Sequence, residues 1–152
     1  MKALTKLVLI FLLNSSCNHK DSTKIENSIL NKDFDTFDDS KKIHFLDSVS
    51  NFLHTRKNDT ILIDKYFEAS TEYYYLNEFE KSKKMALFSL SLSRVVNDSA
   101  RIAKSYYYLG DSYENTYKDS AYYYYNIAEK TYRLLKKKTS ESHMIYNEAY
   151  LL

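Results

Sequence analysis

Hydrophobic residues recur every three or four positions along most of this chain. Ile102, Tyr106, Leu109 and Tyr113, for example, are spaced four, three and four residues apart. That is the period of one face of an α-helix. The pattern predicts amphipathic helices at about 41–56, 60–76, 80–96, 99–116, 120–137 and 140–152, with a further short helix at 24–31.

The apolar stripes of these helices form the predicted core. Their members include Ile43, Leu46, Val49 and Leu53, then Met85, Phe88, Leu92 and Val95, then Ala121, Tyr125, Ala128, Tyr132 and Leu135. The residues expected to cap helix starts are Ser40, Asp59-Thr60, Asp98-Ser99 and Asp119-Ser120. Asn58 and Asn97 can adopt the left-handed conformation that ends a helix. Lys136–Lys138 suit a helix C-terminus, where the helix dipole favours positive charge.

The sequence also matches itself at an offset of 39 residues, the separation of Asn58 and Asn97. Asn58-Asp59-Thr60 falls on Asn97-Asp98-Ser99, Phe67 on Tyr106, Tyr74 on Tyr113, Ser82 on Ala121 and Ser89 on Ala128. A third unit begins with Ile145 beneath Tyr106. A fixed period of this size is typical of stacked helical repeats.

One unit carries Tyr106, Leu109-Gly110, Tyr113, Ala121, Tyr125 and Ala128 in order. These positions resemble the tetratricopeptide repeat pattern, although the repeat is longer than the usual length of about 34 residues. In the preceding copy Thr71 replaces the small residue and Ala86 replaces the aromatic one. The resemblance implies an all-α fold, with antiparallel helix pairs stacked as a short right-handed solenoid. It also places Gly110 where the two helices of a pair cross closely.

Tetratricopeptide arrays bind peptides or proteins on the concave surface formed by their first helices. By that resemblance, the partner-binding positions here are Lys65, Glu68, Glu72, Tyr75, Lys104, Tyr107, Asp111 and Glu114. Their mixed charges and aromatic rings suit a polar segment. Arrays that clamp a C-terminal carboxylate use Lys and Asn at such places, so the acidic Glu72 and Asp111 argue against that activity. An ordinary solvated helix face is the alternative.

The first residues predict export. Met1–Lys6 is basic, and Leu7–Leu13 is an apolar run far shorter than the ~20 residues of a membrane-spanning helix. Small residues and then Cys17 follow, which resembles the lipobox of bacterial lipoproteins. This implies a signal peptide at 1–16 and a lipid on Cys17, with the protein on the periplasmic side of the outer membrane. A plain secretory signal or a short anchor is the alternative.

Composition supports this division of the chain. It contains no Pro, one Gly and 16 Tyr among 152 residues, which disfavours a sheet with its turns. We expect a polar tether with an acidic loop (Asp33–Asp39) at 17–40, and repeats at 41–152, the last one incomplete.

The charge of the chain after the signal is balanced. Two of the 22 basic residues lie in the signal, which leaves 20 basic against 20 acidic residues. Nucleic acid is therefore not an expected partner, and the tyrosines are assigned to helix packing rather than to stacking on bases.

No enzymatic chemistry is expected. His19, His44, His54 and His143 lack the spacing of a metal site, and neither a phosphate loop nor a nucleophile elbow is present. No metal or cofactor is therefore predicted, and the chain is not expected to be an enzyme.

The favoured function is thus a lipid-anchored, exported interaction scaffold. The alternative is the exported sensor segment of a longer membrane-bound signalling or transcriptional regulator. The last helix would expose an apolar face, formed by Ile145, Tyr146, Ala149, Tyr150 and Leu152. That face suggests a longer chain or self-association, unless Leu151 and Leu152 merely cover the preceding helices.

Overall fold

The fold is given by a computed structural model, which describes residues 32–57 and 59–152. This part of the chain is all-helical, as predicted. Its helices are α1 (Lys32–Asp35), α2 (Asp39–Leu53), α3 (Thr60–Tyr75), α4 (Phe79–Val95), α5 (Ser99–Glu114), α6 (Lys118–Leu134) and α7 (Lys138–Leu151). The predicted helices from residue 41 onward are confirmed, with ends within three residues of those expected. None of the described helices has both the length and the apolar character needed to cross a membrane.

Several predictions fall on residues that the structure does not describe. They are the signal peptide at 1–16, Cys17, most of the polar tether, the helix at 24–31 and the left-handed conformation of Asn58. The acidic loop at Asp33–Asp39 is partly wrong, because α1 and the start of α2 occupy much of it. The reason is Phe34, which is buried within a cluster of three phenylalanine rings completed by Phe37 and Phe45.

The described residues divide into two compact units, residues 32–52 and residues 53–152 without residue 58. In the second unit each helix from α3 to α7 packs against the next, and α3 also contacts α5. Successive helices run antiparallel. Lys118 at the start of α6 donates to the carbonyl of Leu151 at the end of α7, whereas Arg133 at the end of α6 bonds Glu141 at the start of α7.

The caps are partly as predicted. Asp59 and Asp98 accept hydrogen bonds from the backbone N–H groups of Leu62 and Arg101, at 2.7 and 3.0 Å. Asn97 is left-handed, with φ 54°. The same conformation occurs at Asn77 and Lys136, which were not predicted.

Three boundary predictions are wrong. Asp38, not Ser40, caps α2, because its carboxylate accepts from the N–H of Lys41. The pair Asp119-Ser120 caps nothing, since α6 begins earlier, after Tyr117, without a side-chain cap. In the run Lys136–Lys138, the last lysine is the first residue of α7 rather than part of a helix C-terminus.

Several members of the predicted stripes are only half-buried, namely Ile43, Phe88, Leu92, Ile102, Tyr106 and Tyr113, and two are exposed. The buried core therefore follows the predicted stripes in part. It contains Ala103, Ala121, Tyr125, Ala128, Tyr132, Met144 and Leu151, with a second group of Ala86, Leu90 and Leu109 beside it. Leu135 lies at the helix end and is exposed. Val95 is 70% exposed, because α4 turns a face rich in small residues toward its neighbours. Buried serines on that face bond across helices, as Ser82 does with Ser70 and Ser112.

Gly110 lies at the crossing of α5 and α6, as predicted. A Cβ atom at this position would overlap the ring of Tyr125, so the absence of a side chain lets the ring lie against the backbone. The ring of Tyr125 is completely buried there. This contact joins the core of α6 to the helix that carries Asp111.

The last helix leaves an apolar surface. Ile145, Tyr146, Ala149 and Tyr150 are exposed, and Leu152 is 98% exposed. Leu151, in contrast, is buried in the core with Met144. Thus α7 covers α6 with one face and presents the other to solvent.

Candidate functional site

A cavity of about 300 Å³ lies among α3, α5 and α7. Tyrosines and acidic residues dominate its lining, which consists of Thr71, Tyr74, Tyr75, Tyr107, Tyr108, Asp111, Glu114, His143 and Asn147. Three helices that are not consecutive in the chain thus contribute to one site. This arrangement follows from the direct packing of α3 on α5.

Four of the eight predicted partner-binding residues lie in the cavity: Tyr75, Tyr107, Asp111 and Glu114. The others do not line it. Lys65 forms an ion pair with Glu68 at 3.0 Å, Glu72 lies on α3 outside the cavity, and the ammonium of Lys104 lies over the ring of Phe67. The structure therefore separates the predicted set into a cavity and a neighbouring helix surface.

The two carboxylates of the cavity share one donor. The hydroxyl of Tyr125 lies 2.8 Å from Oδ1 of Asp111 and 2.9 Å from Oε2 of Glu114. A phenol has a single proton and can donate to only one of these oxygens at a time. The second carboxylate can bond to the hydroxyl only if it carries a proton itself. Tyr125 therefore serves one carboxylate at a time, and Asp111 has a second hydrogen-bond partner in Tyr107.

Burial makes Asp111 the most perturbed acid of the site. It raises the pKa of Asp111 to about 7, and repulsion from Glu114 adds to the rise. Hydrogen bonds from Tyr125 and Tyr107 oppose it, because they stabilise the charged form. Asp111 therefore changes its charge near neutral pH.

Burial also raises the pKa values of the tyrosines around this carboxylate. For Tyr107 and Tyr125 the negative charge of Asp111 is the next largest cause, and it contributes at Tyr74 and Tyr108. Four phenols thus experience the same negative field. The cavity is electrostatically suited to a positive group and unsuited to an anion.

Aromatic rings fix the walls of the cavity. The ring of Tyr107 lies between those of Tyr108 and His143, with centroids 5.1 and 5.4 Å away. Tyr74 and Tyr75, on α3, meet edge to face with their ring centroids 5.7 Å apart. Ring pairs of this kind stabilise each other beyond their buried area. Tyr107 is thereby held in place without a ligand.

Sequence reasoning missed five of the lining residues: Thr71, Tyr74, Tyr108, His143 and Asn147. The repeat pattern had assigned Thr71 and Tyr74 to packing between helices. The offset of 39 residues contained a signal for one of the others, since it aligns His143 with the predicted position Lys104. Asn147 aligns with Tyr108, which was itself missed, so the repeat pattern did not identify it.

No protein-family model and no curated protein matches the chain. In the described residues, no group of three or more His, Cys, Asp or Glu side chains is placed to hold a metal ion. The arrangement present is a small cavity with two carboxylates, a shared phenol and several aromatic faces. Such a site can bind and orient a ligand through charge and ring contacts.

Proposed function

We propose that this protein is a tetratricopeptide-like scaffold that binds a segment of a partner protein. In this proposal α3, α5 and α7 are the first helices of successive pairs in a short right-handed solenoid. The predicted concave surface would then run across these three helices. The contact between α3 and α5 and the antiparallel course of the chain support this arrangement.

One observation carries the proposal. The cavity draws its lining from the three helices that the repeat resemblance assigns to the binding surface, and from none of the others. The combination of a perturbed carboxyl group with several aromatic faces favours a binding role over an ordinary solvated helix face. Buried acids with raised pKa values occur preferentially at functional sites.

Site-specific photo-crosslinking in the producing cell tests the proposal. Tyr75, which is 72% exposed at the cavity, is replaced by p-benzoylphenylalanine. Tyr123 on α6 is the matched control, because it is also exposed but does not line the cavity. A defined protein adduct from position 75 and none from position 123 is expected. Equal adducts at both positions, or none at position 75, would overturn the proposal.

A third probe position addresses self-association. Tyr150 lies on the exposed apolar face of α7. If a second copy of the chain covers that face, a probe at position 150 yields a covalent dimer. If only monomer and heterologous adducts form, the proposed self-association is wrong.

We also propose that the protein is exported and held on the periplasmic face of the outer membrane by a lipid on Cys17. The basic start, the apolar run Leu7–Leu13 and the following Cys17 support this. Acyl chains on this residue would anchor the chain, because each buried methylene contributes about 0.8 kcal/mol. Mass spectrometry of the mature N-terminus is the test, with Cys17→Ser as the control. An unmodified Cys17 would contradict the anchor.

A further inference from the structure

We infer that the cavity among α3, α5 and α7 binds one cationic side chain, a lysine or an arginine, of the partner segment. The inference rests on the proposed function and specifies the chemistry of its ligand. The residues that would contact the cation are Tyr74, Tyr75, Tyr107, Tyr108, Asp111 and Glu114.

The first argument is charge. Asp111 and Glu114 both line the cavity, and among the described residues neither forms an ion pair with a lysine or arginine. His143 is the only base among the lining residues that the structure describes. Buried carboxylates are normally paired, because an isolated charge is costly to remove from water. A cation from outside the chain would complete the pair.

The second argument is hydrogen-bonding capacity, since the two carboxylates can accept more bonds than Tyr107 and Tyr125 supply to them. The Tyr125 hydroxyl lies within hydrogen-bonding distance of both carboxylates but has one proton. An ammonium group has three N–H donors and a guanidinium has five. Either group could donate to Asp111 and Glu114 together, beside the bonds from Tyr125 and Tyr107, and would favour the charged form of both carboxylates. Binding of the cation and deprotonation of Asp111 are therefore coupled.

The third argument is the aromatic lining. Cations are attracted to the faces of tyrosine and phenylalanine rings within about 6 Å of the centroid. The same kind of contact between a cation and a ring occurs elsewhere in the protein. The Nζ atom of Lys104 lies 4.6 Å from the ring centroid of Phe67, and that of Lys83 lies 5.2 Å from the ring centroid of Tyr113. The rings of Tyr75 and Tyr107 line the cavity beside the two carboxylates. A cation there would contact both charge and ring faces.

The size of the cavity limits the ligand. Its volume of about 300 Å³ is at the lower end of the range for small-molecule sites, about 300–1,000 Å³. One extended basic side chain fits such a volume, whereas a bulky folded element does not. The rest of the segment would lie across the neighbouring exposed helix faces.

The test uses the full chain and short blocked peptides. The probe is Gly-Gly-Lys-Gly-Gly, with norleucine in place of lysine as the neutral match and glutamate as the anionic one. Binding is followed by NMR through the ring signals of Tyr107 and Tyr108. We expect the lysine peptide to shift these signals saturably, and the other two peptides to bind at least tenfold more weakly. Equal binding of the norleucine peptide would overturn the inference.

Matched variants identify the groups involved. Asp111→Asn keeps an acceptor for Tyr125 but removes the charge, and should weaken binding of the lysine peptide about tenfold. Asp119→Asn, on the exposed side of α6, should leave it unchanged. Thermal melting of both variants establishes that they are folded. Unchanged binding in folded Asp111→Asn would overturn the inference.

Two further results separate this inference from the proposed function. If butylammonium binds as tightly as the lysine peptide, the site accepts free amines and the assignment to a protein segment fails. If a probe at position 75 captures a partner while the lysine peptide does not bind, the proposed function survives and the cationic ligand is wrong.

Discussion

The hydroxyl of Tyr125 lies 2.8 Å from Oδ1 of Asp111, and so connects the core to the cavity. The ring of Tyr125 is completely buried between α5 and α6, whereas Asp111 lines the cavity. Tyr125 therefore contributes both to the packing of α6 against α5 and to the hydrogen bonds of the cavity. Changes in either of these residues should affect both stability and ligand binding.

Removing the Tyr125 hydroxyl should destabilise the protein and perturb Asp111. Tyr125→Phe keeps the ring but leaves two carboxylates without their common donor. Hydrogen bonds to charged groups contribute about 1.5–3 kcal/mol, so we expect a loss of that order in the free energy of unfolding. Chemical denaturation measures it. Tyr123→Phe, at an exposed position, is the control and should change stability by less than about 0.5 kcal/mol.

Adding a methyl group to Gly110 should also destabilise the fold. Alanine favours a helix over glycine by about 1 kcal/mol, but its Cβ would overlap the Tyr125 ring. Overpacking of this kind typically costs about 1–3 kcal/mol, and the ring is held at its hydroxyl, so we expect a net loss for Gly110→Ala. The double variant Gly110→Ala/Tyr125→Leu should lose less than the sum of the single variants. Strict additivity would show that the two residues do not interact.

The two predicted Asp caps on α5 and α6 should differ in energy. Asp98 accepts from the N–H of Arg101 and also pairs with its side chain, which reaches Asp64 on α3. Asp98→Ala should therefore lower the free energy of unfolding by about 1–2 kcal/mol. Asp119→Ala should cost less than about 0.5 kcal/mol, because Asp119 makes no cap bond. Similar losses in both variants would contradict the assignment of the caps.

The half-buried Asp111 should make stability depend on pH in a defined window. Its pKa is about 7 in the folded protein against 3.8 in an unfolded chain, so the folded state binds the proton more tightly. Its contribution to stability is fully present below about pH 4 and is lost as the pH rises through 7. The titratable groups around it are Tyr74 on α3, Tyr107, Tyr108 and Glu114 on α5, Tyr125 on α6 and His143 on α7.

These neighbours remain in Asp111→Asn, so comparison with that variant isolates the carboxyl group. The free energy of unfolding of the wild type, minus that of the variant, should fall between about pH 4 and pH 7 and change little above pH 8. Denaturation curves at unit pH steps measure this difference. A constant difference across the range would show that Asp111 is not perturbed.

Much of the fold was predictable because helical period and capping are local properties. Asp59 and Asp98 identify two helix starts, and Gly110 identifies the close crossing of α5 and α6. The failures have nonlocal causes. Val95 has the helical spacing of the predicted apolar stripe of α4 but is exposed. The buried face of α4 instead contains small serine residues, which pack against the neighbouring helices.

The candidate site was less predictable. Tyr75 and Asp111 were identified from their outward positions on separate helices. The cavity itself depends on how α3, α5 and α7 pack, and no local pattern gives that arrangement. The raised pKa of Asp111 has the same origin, because it arises from burial by other helices.

The carboxyl ¹³C resonance of Asp111, followed over pH in the full chain, tests the central claim most directly. Asp111→Asn assigns the signal. We expect a midpoint near pH 7, shifted to lower pH when the lysine peptide is present, because a bound cation favours the charged carboxylate. A midpoint near 4, as for an exposed aspartate, with no response to the peptide would contradict a cation-binding cavity at this position.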